Sequence, residues 1–238
     1  MMNRLDPRTR VVATLLFALA AVAAHGLTAQ AVALGLAAVL AVLARLPPGR
    51  TLRRLAALEG FMVAALVTLP FSVPGAPVAE PWGWSVSAEG LERALSILLV
   101  ANAVVLAVQA LLGGLEMVAL GHALARLGAP QKFVALLLFT LRYVDVLQQE
   151  YSRLRLAMRA RGFRPRTSWH TWRAYGWLVG MLLVMSVERS ERIHAAMRLR
   201  GFTGRFHGYE PGRAGALDWG FGAAHTLSVA AMLAVGLA

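Results

Sequence analysis

The sequence predicts an all-α, polytopic membrane protein with about five transmembrane helices and long cytoplasmic helices. Three observations favour this class: hydrophobic residues make up 58% of the 238 positions, charged residues make up only 15%, and the mean hydropathy is +0.60. Soluble domains carry about 25% charged residues. Because a core of this size cannot hide so much apolar surface, several helices are expected to face lipid.

The chain is strongly basic, with 24 basic against 12 acidic residues, and it contains no cysteine. A basic soluble protein would suggest nucleic-acid binding. In a membrane protein, however, arginine accumulates in cytoplasmic loops, which is the simpler explanation here. We therefore expect no nucleic-acid partner. The lack of cysteine excludes a disulfide framework and thiolate sites.

Four apolar stretches define the expected spans. Residues 11–44 carry no charge and would extend about 50 Å as one helix, too long for a hydrocarbon layer of about 30 Å. The dipeptide His25-Gly26 interrupts this stretch, so two short spans are predicted. A signal peptide is the competing interpretation of the first half. The other predicted spans are residues 61–73, which could begin within 54–59, then 91–112 and 219–237.

The placement of basic residues orients these spans. Arginines precede the first span and follow the second span, after residue 44. The loop of residues 72–89, by contrast, has no basic residue. The positive-inside rule then places the N-terminus and residues 113–216 in the cytoplasm. We expect residues 1–112 to hold four spans, residues 113–216 to form a large cytoplasmic helical region, and residues 217–238 to form the last span.

Two apolar stretches inside the cytoplasmic region, residues 133–141 and 174–187, are short for a span. A span at 174–187 would also place two nearly identical peptides on opposite sides of the membrane. We therefore predict that both stretches belong to long helices that lie under or against the membrane-embedded helices.

One arginine-rich heptapeptide occurs twice, as AMRARGF at residues 157–163 and as AMRLRGF at residues 196–202. A glycine just past a helix end, flanked by a hydrophobic pair, is typical of a Schellman stop. Both heptapeptides fit this pattern. The pairs are Met158 with Phe163 and Met197 with Phe202, around Gly162 and Gly201.

The stop explains the arginines less well, because lysine would serve the helix dipole equally. Arg161 and Arg200 stand at the two tips, where a planar guanidinium could reach carboxylates or carbonyls of a partner. From these residues alone two interpretations stay open. Each heptapeptide is either only a helix stop, or a rigid plug for a groove on another protein.

The chain resembles the transmembrane T component of energy-coupling factor ABC transporters, most closely the CbiQ-type subunit of cobalt and nickel importers. The resemblance includes LDPRTRV at residues 5–11, LGAP at 127–130 and LRYVDVLQQE at 141–150. Its most specific part is the paired signature Ala160-Arg161-Gly162 and Leu199-Arg200-Gly201. The second copy departs from the first at Leu199, which replaces the smaller alanine.

This resemblance implies a non-catalytic subunit with no cofactor, in a prokaryotic cytoplasmic membrane. The two signatures would dock on two ATPase subunits. The long helices of residues 113–216 would be coupling helices, on which a separate substrate-binding membrane subunit, the S component, would pack. This subunit would be of the CbiM type, with or without a small accessory subunit. Residues next to the signatures would support the docking; they are Met158, Arg159, Phe163, Met197, Arg198 and Phe202.

Other functions receive less support from the sequence. The chain has no phosphate-binding glycine loop, so it is not expected to hydrolyse ATP. A membrane-embedded transferase would need an acidic cluster for diphosphate and its metal, and the sequence contains no aspartate-rich motif. His207 and Glu210 have ligand-like spacing, but a surface loop pair explains them better. A T component that serves vitamins, and a purely structural scaffold, remain as alternatives.

Overall fold

The computed structural model describes residues 5–69, 77–79, 86–202 and 215–237. Within these residues the chain forms eight helices and one pair of very short antiparallel strands, which confirms the predicted all-α class. The helices are α1 (Pro7–Ala23), α2 (Leu27–Leu43), α3 (Pro48–Leu66), α4 (Ala88–Leu112), α5 (Met117–Arg126), α6 (Gln131–Ala160), α7 (Trp169–Leu199) and α8 (Ala216–Leu237); the strands are β1 (Pro77–Ala79) and β2 (Val86–Ser87).

The long uncharged stretch near the N-terminus folds as two helices, as the sequence predicts. α1 ends normally, because the Ala24 N–H still donates to the Ala20 carbonyl at 2.9 Å. The chain then turns at Gly26, whose φ of +87° lies in the left-handed region that glycine adopts without strain. The break at His25-Gly26 is therefore confirmed.

The third helix begins earlier than the predicted span. α3 runs from Pro48 to Leu66 and overlaps the predicted span of residues 61–73 in its first part. Proline is favoured at the first helical position, since its missing N–H has no helical partner there. Arg53 and Arg54 lie on an exposed part of the helix and do not interrupt it. Residues 70–73 of the predicted span lie outside the described residues.

Two described helices combine the length and the apolarity needed to cross a membrane: Ala88–Leu112 and Ala216–Gly236. α2 is a shorter apolar helix. α1 and α2 have 17 residues each, which is near the lower limit of about 17 residues for a span. The count of about five spans stays a prediction.

The helices group into two compact units. The first holds α1–α4, α8 and the start of α5, and its core is rich in alanine. Ala21, Ala29, Ala33, Ala37 and Ala103 are completely buried, and such small side chains let helix backbones approach closely. Most of the core is therefore formed by close helix–helix contact rather than by large side chains.

Polar contacts bring three helix ends together in this unit. The Asp218 carboxylate accepts hydrogen bonds from the Asp6 N–H at 2.7 Å and the Gly215 N–H at 2.8 Å. The buried Arg10 Nε donates to the Leu111 carbonyl at 2.6 Å. The starts of α1 and α8 and the end of α4 consequently lie on the same face of the unit.

The second unit contains the end of α5 with α6 and α7. These last two helices have 30 and 31 residues, and they include the short apolar stretches 133–141 and 174–187. The prediction that both stretches belong to long helices is confirmed. α7 begins after Ser168, whose Oγ accepts a hydrogen bond from the Thr171 N–H at 3.4 Å.

Candidate functional site

The first heptapeptide ends α6 with a Schellman stop. The Phe163 N–H donates to the Met158 carbonyl and the Gly162 N–H donates to the Arg159 carbonyl, both at 3.0 Å. Gly162 has a φ of +80°. These two hydrogen bonds around a left-handed residue define the motif, so the prediction from the sequence is confirmed.

The second heptapeptide ends α7 in the same way. The Phe202 N–H donates to the Met197 carbonyl and the Gly201 N–H to the Arg198 carbonyl, again at 3.0 Å, and the φ of Gly201 is +77°. The methionine and the phenylalanine of each stop are half-buried. The two tips therefore have the same backbone geometry.

A third Schellman stop, at the end of α5, provides an internal comparison. The Ala129 N–H donates to the Leu124 carbonyl at 3.1 Å and the Gly128 N–H to the Ala125 carbonyl at 3.3 Å, with a φ of +91° at Gly128. The residue before this glycine is Leu127. An arginine before the glycine is therefore not required for a stop of this kind.

The arginines of the heptapeptides extend from the two tips into solvent. All four are exposed, and within the described part of the chain none of them forms an ion pair or a side-chain hydrogen bond. Their guanidinium donors are thus available to a partner. They are Arg159, Arg161, Arg198 and Arg200.

The remaining signature residues are exposed as well. Ala160 and Gly162 lie on the surface at the first tip, and Gly201 does so at the second. Leu199 is 90% exposed. Within the described part of the chain this apolar side chain gains almost no burial, whereas a partner surface that covers it would remove its apolar area from water.

An ion pair joins α6 to α7. The Arg189 Nη2 lies 3.1 Å from the Glu150 Oε1, and both side chains are partly buried. Glu150 precedes Arg161 by eleven residues and Arg189 precedes Arg200 by eleven residues. Each tip is therefore about 16 Å along its helix from the pair, at a rise of 1.5 Å per residue.

The sequence analysis missed this ion pair, although a signal was present. Glu150 and Arg189 are 39 residues apart, and the two heptapeptides are offset by the same number. The pair therefore occupies equivalent positions of two related helices. Extending the alignment of the heptapeptides towards the N-terminus would have aligned Glu150 with Arg189, which puts opposite charges at equivalent positions of the two helices. The spacing of Glu188 and Arg192, one turn apart, by itself favours an ion pair, and the structure shows this pair on α7 at 3.7 Å.

The surroundings of the two tips differ, which the sequence did not indicate. At the first tip the Phe163 ring packs against Tyr175 of α7, with ring centroids 5.9 Å apart in an edge-on arrangement. At the second tip, Met197 and Phe202 border an open groove between α6 and α7. Phe163 thus connects the first tip to α7, and the second tip adjoins the groove.

This groove between α6 and α7 is predominantly apolar and has a volume of about 860 Å³. It extends from Gln131 at the start of α6 to Phe202 at the second tip, and Arg189 of the ion pair lines it. Its apolar side chains include Leu136, Phe139 and Ile193. A groove of this size and character suits a hydrophobic segment of another protein.

Among the described residues, no group of three histidine, aspartate or glutamate side chains lies close enough to hold a metal ion. His207 and Glu210 lie outside the described residues.

The structure thus combines two helices that are long and apolar enough to cross a membrane with two long helices that end in exposed basic tips. The sequence model of the CbiQ family, described as a cobalt transport protein, matches residues 1–209. The energy-coupling factor transporter transmembrane protein EcfT of Brevibacillus brevis is 28% identical over 217 residues, which are 85% of this chain and 81% of that protein. The EcfT of Heliobacterium modesticaldum is 28% identical over 219 residues, which cover 85% and 80% of the two chains. The chain therefore belongs to the CbiQ family of energy-coupling factor T components.

Replacing the stop glycines tests the geometry of the tips. Gly162→Ala and Gly201→Ala should each destabilise the stop by about 1–2 kcal/mol, because a Cβ is strained at positive φ. No neighbouring atom lies within 4 Å of the place that either new methyl group would occupy, so the cost comes from the backbone alone. Hydrogen exchange of the last helical turn should rise in each variant. Gly176→Ala, inside α7 and equally uncrowded, is the matched control, and unchanged exchange at both tips would contradict the assignment.

Reversing the charges of the ion pair tests whether it fixes α6 against α7. Glu150→Arg and Arg189→Glu should each loosen the contact, since like charges then face each other, and the double reversal should restore much of it. We expect a coupling energy of about 1 kcal/mol, as for a partly exposed pair. Spin labels at the equivalent exposed positions Leu156→Cys and Ala195→Cys report the width of the distance distribution between the helices.

The exposed pair of Glu188 and Arg192, with side chains 58% and 68% accessible, supplies the control for this measurement. Reversing it should leave the distance distribution unchanged. If the single reversals at Glu150 and Arg189 also leave the distribution unchanged, the pair does not hold the two helices together.

Proposed function

We propose that this T component transmits ATP-driven movement of two ATPase subunits to a substrate-binding membrane subunit, without catalysing a reaction itself. One observation carries the proposal. Two long helices, joined by an ion pair, end in the same stop at the same distance from that pair, and each presents exposed arginines without a partner in the described chain.

The comparison with the third stop supports docking over simple helix termination. Leu127 stands before Gly128 in a stop of the same kind, so Arg161 and Arg200 serve some other purpose. A guanidinium presents several donors in a rigid plane that matches carboxylates. We therefore assign Ala160-Arg161-Gly162 and Leu199-Arg200-Gly201 as the two ATPase-docking motifs.

The groove between α6 and α7 is the surface we assign to the substrate-binding subunit. It is apolar, and it is lined by Arg189 of the ion pair and by Met197 and Phe202 of the second tip. A displacement of the tips would therefore change the walls of the groove. In this way movement of the ATPases would reach the bound subunit.

The face that collects the starts of α1 and α8 and the end of α4 is the one we assign to the cytoplasm. Arg8 and Arg10 follow closely after Asp6 at this face, as the positive-inside rule requires. α5, α6 and α7 then follow in the chain after the cytoplasmic end of α4. Residues 113–216 would accordingly form the cytoplasmic coupling region of a protein in a prokaryotic cell membrane.

We propose cobalt, or the chemically similar nickel, as the transported substrate. The support is the description of the matching family as a cobalt transport protein. The two relatives are named as EcfT without a substrate, so vitamin transport is the second candidate. In either case the substrate would be bound by the separate membrane subunit.

Removing the tip arginines tests docking. Arg161→Ala and Arg200→Ala should each weaken assembly with the ATPases roughly thirtyfold, the effect of losing about 2 kcal/mol at an interface hot spot. The double variant should not assemble and should lose uptake. Arg142→Ala, at an exposed arginine of α6 that has no ion pair among the described residues, is the matched control. Affinity and uptake are measured on the co-purified complex in liposomes, and normal assembly of the double variant would refute docking through these motifs.

The wild-type complex in the same assay separates the two substrate classes. ATP-dependent uptake of radioactive cobalt is the expected result. Uptake of a vitamin without uptake of cobalt or nickel would replace the substrate assignment and leave the docking assignment intact.

A further inference from the structure

We propose that the first half of α7 binds the headgroup region of a lipid bilayer that contains anionic lipid, through an exposed face of aromatic and apolar side chains. This surface, called the Trp face below, consists of Trp169, Trp172, Trp177, Leu183 and Val184. It is distinct from both tips and from the groove between α6 and α7, whose residues on α7 begin at Ser186.

The Trp face is strongly exposed for such large apolar side chains. Trp169, Trp172 and Trp177 are 82%, 69% and 72% accessible, and Leu183 and Val184 are more than half accessible. Spacings of three, seven, eight and eleven residues, which are close to whole turns of a helix, place these positions on one broad side. A contiguous apolar surface of this kind marks a contact with a membrane or with another protein.

The opposite side of α7 is covered by the chain itself. Thr171 and Leu178 are buried. The segment that follows the first tip folds back on this side, because the Arg166 N–H donates to the Thr171 Oγ1 at 3.2 Å and Phe163 packs on Tyr175. The internal contacts of α7 are thus satisfied on one side, and the Trp face is left for an external contact.

Charge identifies that contact as a membrane surface with anionic headgroups. Residues 151–187 contain seven arginines and no acidic residue. Three of these arginines are exposed near the start of α7: Arg164 and Arg166 precede the helix, and Arg173 lies within it. Tryptophan at the water–lipid boundary, flanked by arginine, is the side-chain combination found where helices meet headgroups.

The length and polarity of α7 favour a helix that lies on the membrane. Of the described helices, only Ala88–Leu112 and Ala216–Gly236 are both long and apolar enough to cross. The Trp face extends about 22 Å along α7, from the rise of 1.5 Å per residue. An amphipathic helix of this kind lies in the interface with its apolar face towards the acyl chains.

A spin label on the Trp face tests the proposal, since the chain has no native cysteine. Gly176 lies on this side of α7, is exposed, and has no atom within 4 Å of an added Cβ. Gly176→Cys is labelled in the full chain, in phosphatidylcholine bilayers with and without phosphatidylglycerol. Collisions with oxygen report lipid and collisions with a nickel chelate report water. Ala195→Cys, exposed near the second tip, is the control.

The expected result is oxygen contact at position 176 with nickel access several-fold lower than at position 195, and deeper burial when phosphatidylglycerol is present. Trp172→Ser with Trp177→Ser should raise nickel access at position 176 and leave position 195 unchanged.

Equal nickel access at positions 176 and 195 overturns the proposal. Shielding that appears only when the substrate-binding subunit is added also overturns it, because a protein would then cover the face. If the depth of the label at position 176 does not change with phosphatidylglycerol, the assignment to anionic headgroups is overturned. Since the label is read without the ATPases, these outcomes do not depend on the docking of the tips.

Discussion

A glycine in the left-handed conformation at the end of each long helix is the constraint on which the coupling geometry depends. A helix leaves its last four carbonyls without partners, and the two hydrogen bonds of each Schellman stop satisfy part of this deficit. The stop also prevents the helix from continuing past Gly162 or Gly201. Arg161 and Arg200 are consequently held at defined points rather than on fraying ends.

The ion pair between Glu150 and Arg189 joins the two helices at the same distance from each tip. Each arginine is about 16 Å along its helix from the pair, so displacement of one tip relative to the other must act on this contact or bend a helix. Phe163 of the first tip packs on Tyr175, and Phe202 of the second tip borders the groove. A membrane contact on the Trp face would restrain α7 near its start, far from the second tip.

The features that the sequence predicted well are local ones. Each stop depends on about five consecutive residues, and the Glu188–Arg192 pair joins positions one turn apart. The ion pair between α6 and α7 depends on how two helices approach each other; the shared offset of 39 residues pointed to equivalent positions but did not by itself fix a contact. α3 begins before the predicted span because a helix extends through exposed charged positions such as Arg53, which a search for uncharged stretches leaves out. The exposure of the tip arginines agrees with the docking hypothesis, whereas the partner itself lies on other chains.

The measurement that tests the central claim most directly is cross-linking of the two tips to the ATPases. Because the chain has no cysteine, Ala160→Cys and Leu199→Cys can each carry a single photo-reactive group in the assembled transporter. The account predicts that each position cross-links to one ATPase subunit and that the doubly labelled chain captures two, while Leu156→Cys, an exposed site before the first tip, captures far less. Cross-linking of both tips to the substrate-binding subunit, or to no subunit, would contradict it.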